Sequence, residues 1–276
     1  MESLAIDSAI RLNDGAVMPR LGLGVYQIAS CGACRRAVEQ ALKIGYRHID
    51  TASFYGNEAD VGRAVRESGL PREQVFVTTK LWNSDQGYAS AIRAAEKSLR
   101  LLALDRIDLY LIHWPEPRKR ADSWRALIEL RERGVTRSIG VSNYTIAHLE
   151  ELMASSAVVP AVNQVEFNPF LYQRALLDFC TAHRIALVAY CPLARAQKLN
   201  DARLRKIAAK HRKSAAQVMI RWILERGVGA IPKSSRPERI RENADVFDFA
   251  LDEDDMALLD RLDEGLRTCR DPSTVR

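Results

Sequence analysis

Four side chains in this 276-residue sequence have the types needed to handle a proton at a carbonyl group: Asp50, Tyr55, Lys80 and His113. Reducing a carbonyl takes a hydride at carbon and a proton at oxygen. A tyrosine hydroxyl can supply the proton, although an ordinary phenol pKa of ~10 makes it a sluggish acid at neutral pH. A lysine ammonium beside it favours the phenolate and is expected to lower that pKa. Such a lysine, once buried, sheds its own proton unless a carboxylate keeps it charged, and Asp50 is the expected partner of Lys80. His113 suits a hydrogen-bond donor that holds the carbonyl facing the hydride. Taken singly, each has a plainer reading. Lys80 alone fits a Schiff-base barrel of the aldolase type. Tyr55 alone fits a packing residue with a solvated hydroxyl, His113 a satisfied histidine in an apolar run, and Asp50 a helix cap. The combined reading is favoured by where the four fall, at the ends of neighbouring predicted strands.

Those strands are short, apolar and β-branched, and each is followed by a longer amphipathic segment. They are expected at 21–25, 48–51, 75–80, 107–113, 138–142, 161–166, 186–190 and 229–232. Most are apolar almost throughout, as strands covered on both faces are. Eight strand–helix repeats predict an α/β fold, a (β/α)8 TIM barrel; six would have suggested an open doubly wound sheet. Ahead of them, 9–12 and 17–21 flank Asn13-Asp14-Gly15, a hairpin turn, so a β-hairpin is expected to cap one end. Two extra helices, 199–211 and 253–262, exceed the simple repeat. Gly45 marks a helix end, Ser214-Ala215-Ala216-Gln217 is a capping box, and Pro237 suits a first helical turn. Barrel chemistry sits where strands end. There the sequence places Asp50, Lys80, His113, Ser142-Asn143, Asn163-Gln164, Tyr190 and Lys233-Ser234, a concentration that scattered surface polarity would not produce.

Composition narrows the class further. Hydrophobic residues at 47% and charged residues at 28% describe an ordinary globular chain, read here as one domain over 1–276. The net charge of +6 is spread along the sequence, with no RNP motif or zinc-finger spacing, so no nucleic-acid partner is expected. The excess suits steering of an anionic cofactor or substrate. No apolar run has membrane-spanning length, and 1–10 carries Glu2 and Asp7 rather than a basic start and apolar stretch, so a cytoplasmic protein is expected. Short loops and no evident exposed apolar helix point to a monomer. Of five cysteines only Cys31 and Cys34 have a suggestive spacing; lacking a second pair, they are read as reduced thiols, and no metal site is expected. Gly22-Leu23-Gly24-Val25-Tyr26-Gln27 has two of the three glycines of a dinucleotide fingerprint, and these are read as permitting close packing at the first strand.

The stretch Gly45-Tyr46-Arg47-His48-Ile49-Asp50-Thr51-Ala52-Ser53-Phe54-Tyr55-Gly56-Asn57-Glu58 resembles the first signature of the aldo-keto reductases. Thr79-Lys80-Leu81-Trp82, Leu111-Ile112-His113-Trp114-Pro115, Ile139-Gly140-Val141-Ser142-Asn143-Tyr144, Asn163-Gln164-Val165-Glu166-Phe167-Asn168-Pro169 and Ile231-Pro232-Lys233-Ser234 continue the similarity in order. The run from Leu81 to Tyr88 is most similar to bacterial members, notably the 2,5-diketo-D-gluconate reductase group. The resemblance implies NADPH-dependent reduction of aldehydes, ketones or keto acids, with Tyr55 as general acid, Lys80 and Asp50 tuning it, and His113 orienting the carbonyl. It implies NADPH lying across the rim. Tyr190 would stack on the nicotinamide, and Ser142, Asn143 and Gln164 would hold the carboxamide. Leu193 would also contact the cofactor. Lys233, Ser234 and Arg239 would hold the 2′-phosphate, Ser235 and Arg236 would lie close by, and Glu242 and Asn243 would face the adenine. The basic turn before Pro237 also suits an anion at a helix start on physical grounds alone. Tyr26, Trp82 and Trp114 would wall the substrate pocket. One departure is Cys191, where the family commonly has serine. Some relatives of this fold act as cofactor-sensing subunits, and an intact acid–base set argues against that role here.

Overall fold

The computed structural model describes residues 4–275. Part of the reading of 1–10, at residues 1–3, lies outside the described residues. Ala9–Arg11 (β1) and Val17–Pro19 (β2) form an antiparallel hairpin through a turn in which Gly15 has a left-handed φ of 87°. Eight parallel strands follow in sequence order: Leu23–Gly24 (β3), His48–Asp50 (β4), Phe76–Leu81 (β5), Ile107–Ile112 (β6), Thr136–Ser142 (β7), Val162–Glu166 (β8), Ala186–Tyr190 (β9) and Gly229–Ala230 (β10). The ring is closed between first and last strand by parallel bridges Leu21 to Ala230 and Gly24 to Lys233. The Gly22 N–H donates to the Ala230 carbonyl at 2.9 Å and the Gly24 N–H to the Pro232 carbonyl at 3.2 Å.

The expected strands 21–25 and 229–232 shrink to two residues each, with only single bridges beyond them. Pro232 explains part of this, because it has no N–H to extend a ladder. The close approach at this seam also explains the paired glycines. A Cβ on Gly24 would lie 2.9 Å from the Ile231 carbonyl oxygen, and one on Gly22 would lie 2.8 Å from the His48 ring. His48 is buried, and its Nε2 lies 3.0 Å from Thr78 Oγ1, so the ring has little room to retreat. Gly22→Ala should therefore cost about 1–3 kcal/mol through overpacking. A denaturant midpoint equal to that of the parent protein would contradict this.

Eight helices cover the barrel: Ala33–Ile44 (α1), Glu58–Glu67 (α2), Tyr88–Leu102 (α3), Arg120–Glu132 (α4), Ile146–Ser155 (α5), Arg174–Ala182 (α6), Ala215–Glu225 (α8) and Pro237–Ala244 (α9). The two extra helices are present as Ala202–His211 (α7) and Glu253–Asp260 (α10). α7 starts at 202, later than expected, because the Asp201 carboxylate accepts from the Arg203 and Leu204 N–H groups and caps it there. Ser214 and Gln217 form the expected capping box, and Gly45 with φ 120° ends α1. Leu12, Ala16 and Met18 of the hairpin pack onto Phe76, Ala161 and Val162 at strand starts, so the ribbon plugs the N-terminal mouth. The opposite mouth is left for chemistry. Among the described residues no helix is long and apolar enough to cross a membrane.

Candidate active site

At the C-terminal mouth, β4 ends on Asp50 and the chain turns through Ser53–Tyr55 in a single 3-10 turn that brings Tyr55 back over the strand end. This turn is held from below. Ser53 Oγ donates to the Lys80 carbonyl at 2.9 Å, while Asn57 Nδ2 donates to the Val25 and Ile28 carbonyls at 3.0 and 3.1 Å. Lys80 lies in β5, every residue of which is buried, and its Nζ is surrounded by three oxygens. Asp50 Oδ1 is at 2.6 Å, the Thr51 carbonyl at 2.8 Å and the Tyr55 hydroxyl at 3.5 Å. Three acceptors match the three hydrogens of an ammonium. The second carboxylate oxygen of Asp50 accepts from Gln164 Nε2 at 2.7 Å, so β8 also braces the pair. His113 follows β6 directly, its N–H on the Leu81 carbonyl at 3.1 Å and its ring edge-on to Tyr55 at 5.8 Å between centroids.

Burial governs the proton affinities. It lowers the Lys80 pKa, and the Asp50 charge partly restores it. It also drives His113 well below the ordinary histidine range, with the Lys80 charge adding to the effect, so the imidazole is neutral. His113 Nδ1 is buried with no partner among the described residues. A stranded lone pair is less costly than a stranded N–H, which places the proton on Nε2. The expectation that Lys80 lowers the Tyr55 pKa is reversed. Burial pushes the phenol well above its usual value, and the Asp50 carboxylate adds to the rise. Burial is the main cause, and the distances show why Lys80 does not offset it: two of its hydrogens go to Asp50 and Thr51 at 2.6 and 2.8 Å, and the phenol is the distant third at 3.5 Å.

Tyr55 opens onto a cavity of about 950 Å³. Of the expected catalytic set, Asp50, Tyr55 and His113 line it, and Lys80 lies fully buried behind them. One side is aromatic: Tyr26 lies 4.9 Å from the Tyr55 ring, Phe54 stacks on Trp82 at 3.8 Å, and Trp114 completes the wall. The floor is a hydrogen-bonded chain. Tyr190 donates to Asn143 Oδ1 at 2.7 Å, Asn143 Nδ2 to the His113 carbonyl at 2.9 Å, and Ser142 Oγ to the Gln164 carbonyl at 2.8 Å. The far end carries Leu193, Lys233, Ser234, Arg239, Glu242 and Asn243. Ser235 and Arg236, expected close by, are exposed and lie outside the cavity wall. Lys233 and Arg239 are exposed, make no ion pair with another described residue, and both line the cavity. Sequence reasoning missed Phe54 and Arg195; the family resemblance implies that the tail from 267 to 276 shapes the pocket, but it does not single out Thr268, Cys269 and Arg270. Phe54 stands inside the quoted signature. Arg195 follows a strand end, where the barrel rule directs attention. Nothing in the local pattern of 268–270 signals that a buried Glu166 draws the tail over the mouth, accepting from the Thr268 and Cys269 N–H groups at 2.8 and 3.1 Å.

A barrel that gathers a protonated phenol, a neutral imidazole and unpaired cations at one mouth is an oxidoreductase in design, built to add hydrogen to a polar double bond. The chain belongs to the aldo/keto reductase family, whose sequence model matches residues 20–264. It is similar to the glyoxal reductase of Bacillus subtilis (strain 168), 47% identical over 271 residues that cover 98% of each chain. It is 45% identical over 273 residues to the methylglyoxal reductase DkgA of Yersinia pestis, again covering 98% of each. Among solved structures it is similar to a mutant of Gox0644 in complex with NADPH, with a TM-score of 0.93, 44% identity, and 98% and 99% of the two chains covered.

Proposed function

We propose that this protein reduces small aldehydes, ketones or keto acids to alcohols with NADPH, and that Tyr55 delivers the proton. The observation that carries the reading is the contact series Asp50–Lys80–Tyr55, 2.6 and 3.5 Å long, ending on a cavity that also reaches an unpaired basic turn. NADPH, when bound, supplies the hydride. The residues suit it: Lys233 and Arg239 carry free positive charge for a phosphate, Ser234 offers a hydroxyl, and Tyr190 presents a ring anchored through Asn143. The similarity to reductases acting on glyoxal and methylglyoxal favours small, strongly electrophilic carbonyls as substrates.

His113 donates from Nε2 to the carbonyl oxygen and fixes its direction. Tyr55 then gives its proton to that oxygen as negative charge develops there. A raised phenol pKa does not prevent this, because an alkoxide is far more basic than a phenolate; it keeps Tyr55 fully protonated and ready at neutral pH. The phenolate left behind faces the Lys80 ammonium, and Asp50 and Gln164 keep that ammonium in place. Lys80 does not line the cavity, which disfavours the aldolase-type reading, since a Schiff-base lysine has to reach the substrate carbon.

The short loops favour a monomer, and we read the enzyme as one domain over 1–276 with no nucleic-acid partner. Its unbridged cysteines suit the cytoplasm. The test is consumption of NADPH against a carbonyl panel, with glyoxal and methylglyoxal included, compared with NADH. Arg239→Ala and Lys233→Ala should each raise the KM for NADPH by about 10–100-fold, the worth of a charged hydrogen bond, and leave the KM for NADH nearly unchanged. Equal efficiency of the parent protein with NADH and NADPH would contradict the phosphate assignment. Borohydride trapping of substrate on Lys80 would contradict the reaction itself.

A further inference from the structure

We propose that Cys191 and Cys269 form a peroxide-oxidisable thiol pair in the cavity wall, closing to a disulfide that pins the C-terminal tail to the end of β9. The two sulfurs lie 3.9 Å apart although 78 residues separate them in sequence, and both residues line the cavity. Each is held in place by something other than the other sulfur. Cys269 sits on a tail fastened by its own N–H and that of Thr268 to the buried Glu166 carboxylate. Cys191 directly follows β9 in a left-handed conformation, φ 46°, at the start of a loop where Ala194, Arg195 and Ala196 are left-handed as well. Arg195 places Nη2 3.3 Å from the Cys269 sulfur.

This surrounding distinguishes Cys269 from the other thiols. The sulfur contact with Cys191 and the Arg195 guanidinium hold the Cys269 thiol below the usual range against the cost of burial, whereas burial pushes Cys34 and Cys180 up to about 12. Because the Arg195 guanidinium stands 3.3 Å from its sulfur, Cys269 is assigned as the attacking thiolate and Cys191 as the resolving thiol. The Cys269 thiolate attacks one oxygen of hydrogen peroxide, the O–O bond breaks, and sulfenic acid and hydroxide result, the hydroxide taking a proton from solvent to leave as water. The Cys191 sulfur then attacks the sulfenic sulfur, the S–S bond forms, and the displaced hydroxide takes the Cys191 proton to leave as a second water. Two electrons pass from the sulfurs to peroxide, and a cellular monothiol or dithiol reverses the change by exchange. Glu166, Cys191 and Cys269 also cluster within 4.8 Å, the size of a metal site. Both Glu166 oxygens are already taken by tail N–H groups, and a guanidinium stands where a cation would be repelled, so oxidation fits better than metal binding.

The experiment treats the reduced full chain with hydrogen peroxide, blocks remaining thiols and maps peptides without reduction. The expected result is a Cys191–Cys269 linked peptide that dithiothreitol removes, while Cys31, Cys34 and Cys180 stay alkylatable. In Cys191→Ser the link is absent, and dimedone traps a sulfenic acid at Cys269. At pH 7, Cys269 of the reduced parent should react with iodoacetamide several-fold faster than exposed Cys31, with an acid-shifted pH profile. Three results would overturn the proposal: oxidation at Cys31 preceding that at Cys269, a Cys269 sulfenic acid that never links to Cys191, or one zinc ion per chain retained by the parent and lost in Cys269→Ser.

Discussion

Tyr55→Phe should lose about 10²–10⁴-fold in kcat/KM for carbonyl reduction, the usual worth of a positioned general acid, while its affinity for NADPH stays within about threefold. The substitution removes one oxygen and nothing else. The phenyl ring keeps its packing against Tyr26 at 4.9 Å and His113 at 5.8 Å between centroids. The deleted hydroxyl has a single protein partner, the Lys80 ammonium at the long distance of 3.5 Å, so the fold hardly depends on it. Cofactor fluorescence titration and steady-state turnover on the same sample separate binding from chemistry. Turnover equal to the parent enzyme would mean that another group supplies the proton.

Lys80→Met should be costly in both stability and rate. Lys80 and Asp50 are buried together at 2.6 Å, and removing one partner of such a pair strands the other charge, typically at about 3–5 kcal/mol. Gln164 alone then faces the carboxylate. The rate should fall at least as far as in Tyr55→Phe, because the stranded Asp50 charge raises the cost of forming a phenolate beside it. The double variant Asp50→Asn with Lys80→Met removes both charges. It should recover much of the stability lost in the single variant and none of the activity. Urea unfolding of the parent, the single variants Lys80→Met and Asp50→Asn, and the double variant measures the coupling. If Lys80→Met is as stable as the parent, the pair is not a closed ion pair in solution. If the double variant turns over normally, the ammonium has no part in the reaction.

Residues that are close in sequence, or placed by a repeating pattern, are the legible ones. Asp50, Lys80, His113, Ser142 and Gln164 belong here because β-strands of a barrel end at one mouth, and alternation of strand and helix reveals where they end. Gly22 and Gly24 are legible as packing residues, and the His48 ring beside Gly22 and the Ile231 carbonyl beside Gly24 indeed leave no room for a Cβ. What escapes depends on distance. The Tyr55 phenol is pushed up mainly by burial, with Asp50 adding to the rise, and no spacing reveals how deeply this loop residue sits. Thr268, Cys269 and Arg270 reach the cavity through a contact between Glu166 and a segment about a hundred residues later, as the 2.8 Å bond from the Thr268 N–H shows. Ser235 and Arg236 are expected beside the phosphate site because they adjoin Ser234. Both are exposed and neither lines the cavity, whereas Ser234 is buried and does.

Proton delivery by Tyr55 with His113 as the guide requires both groups to meet one oxygen atom. A crystal structure of the enzyme with NADPH and an unreactive carbonyl analogue examines that requirement directly. The analogue's oxygen should sit within about 2.6–3.2 Å of both the Tyr55 hydroxyl and His113 Nε2. An oxygen gripped elsewhere, with Tyr55 beyond the reach of a single bridging water, would contradict it.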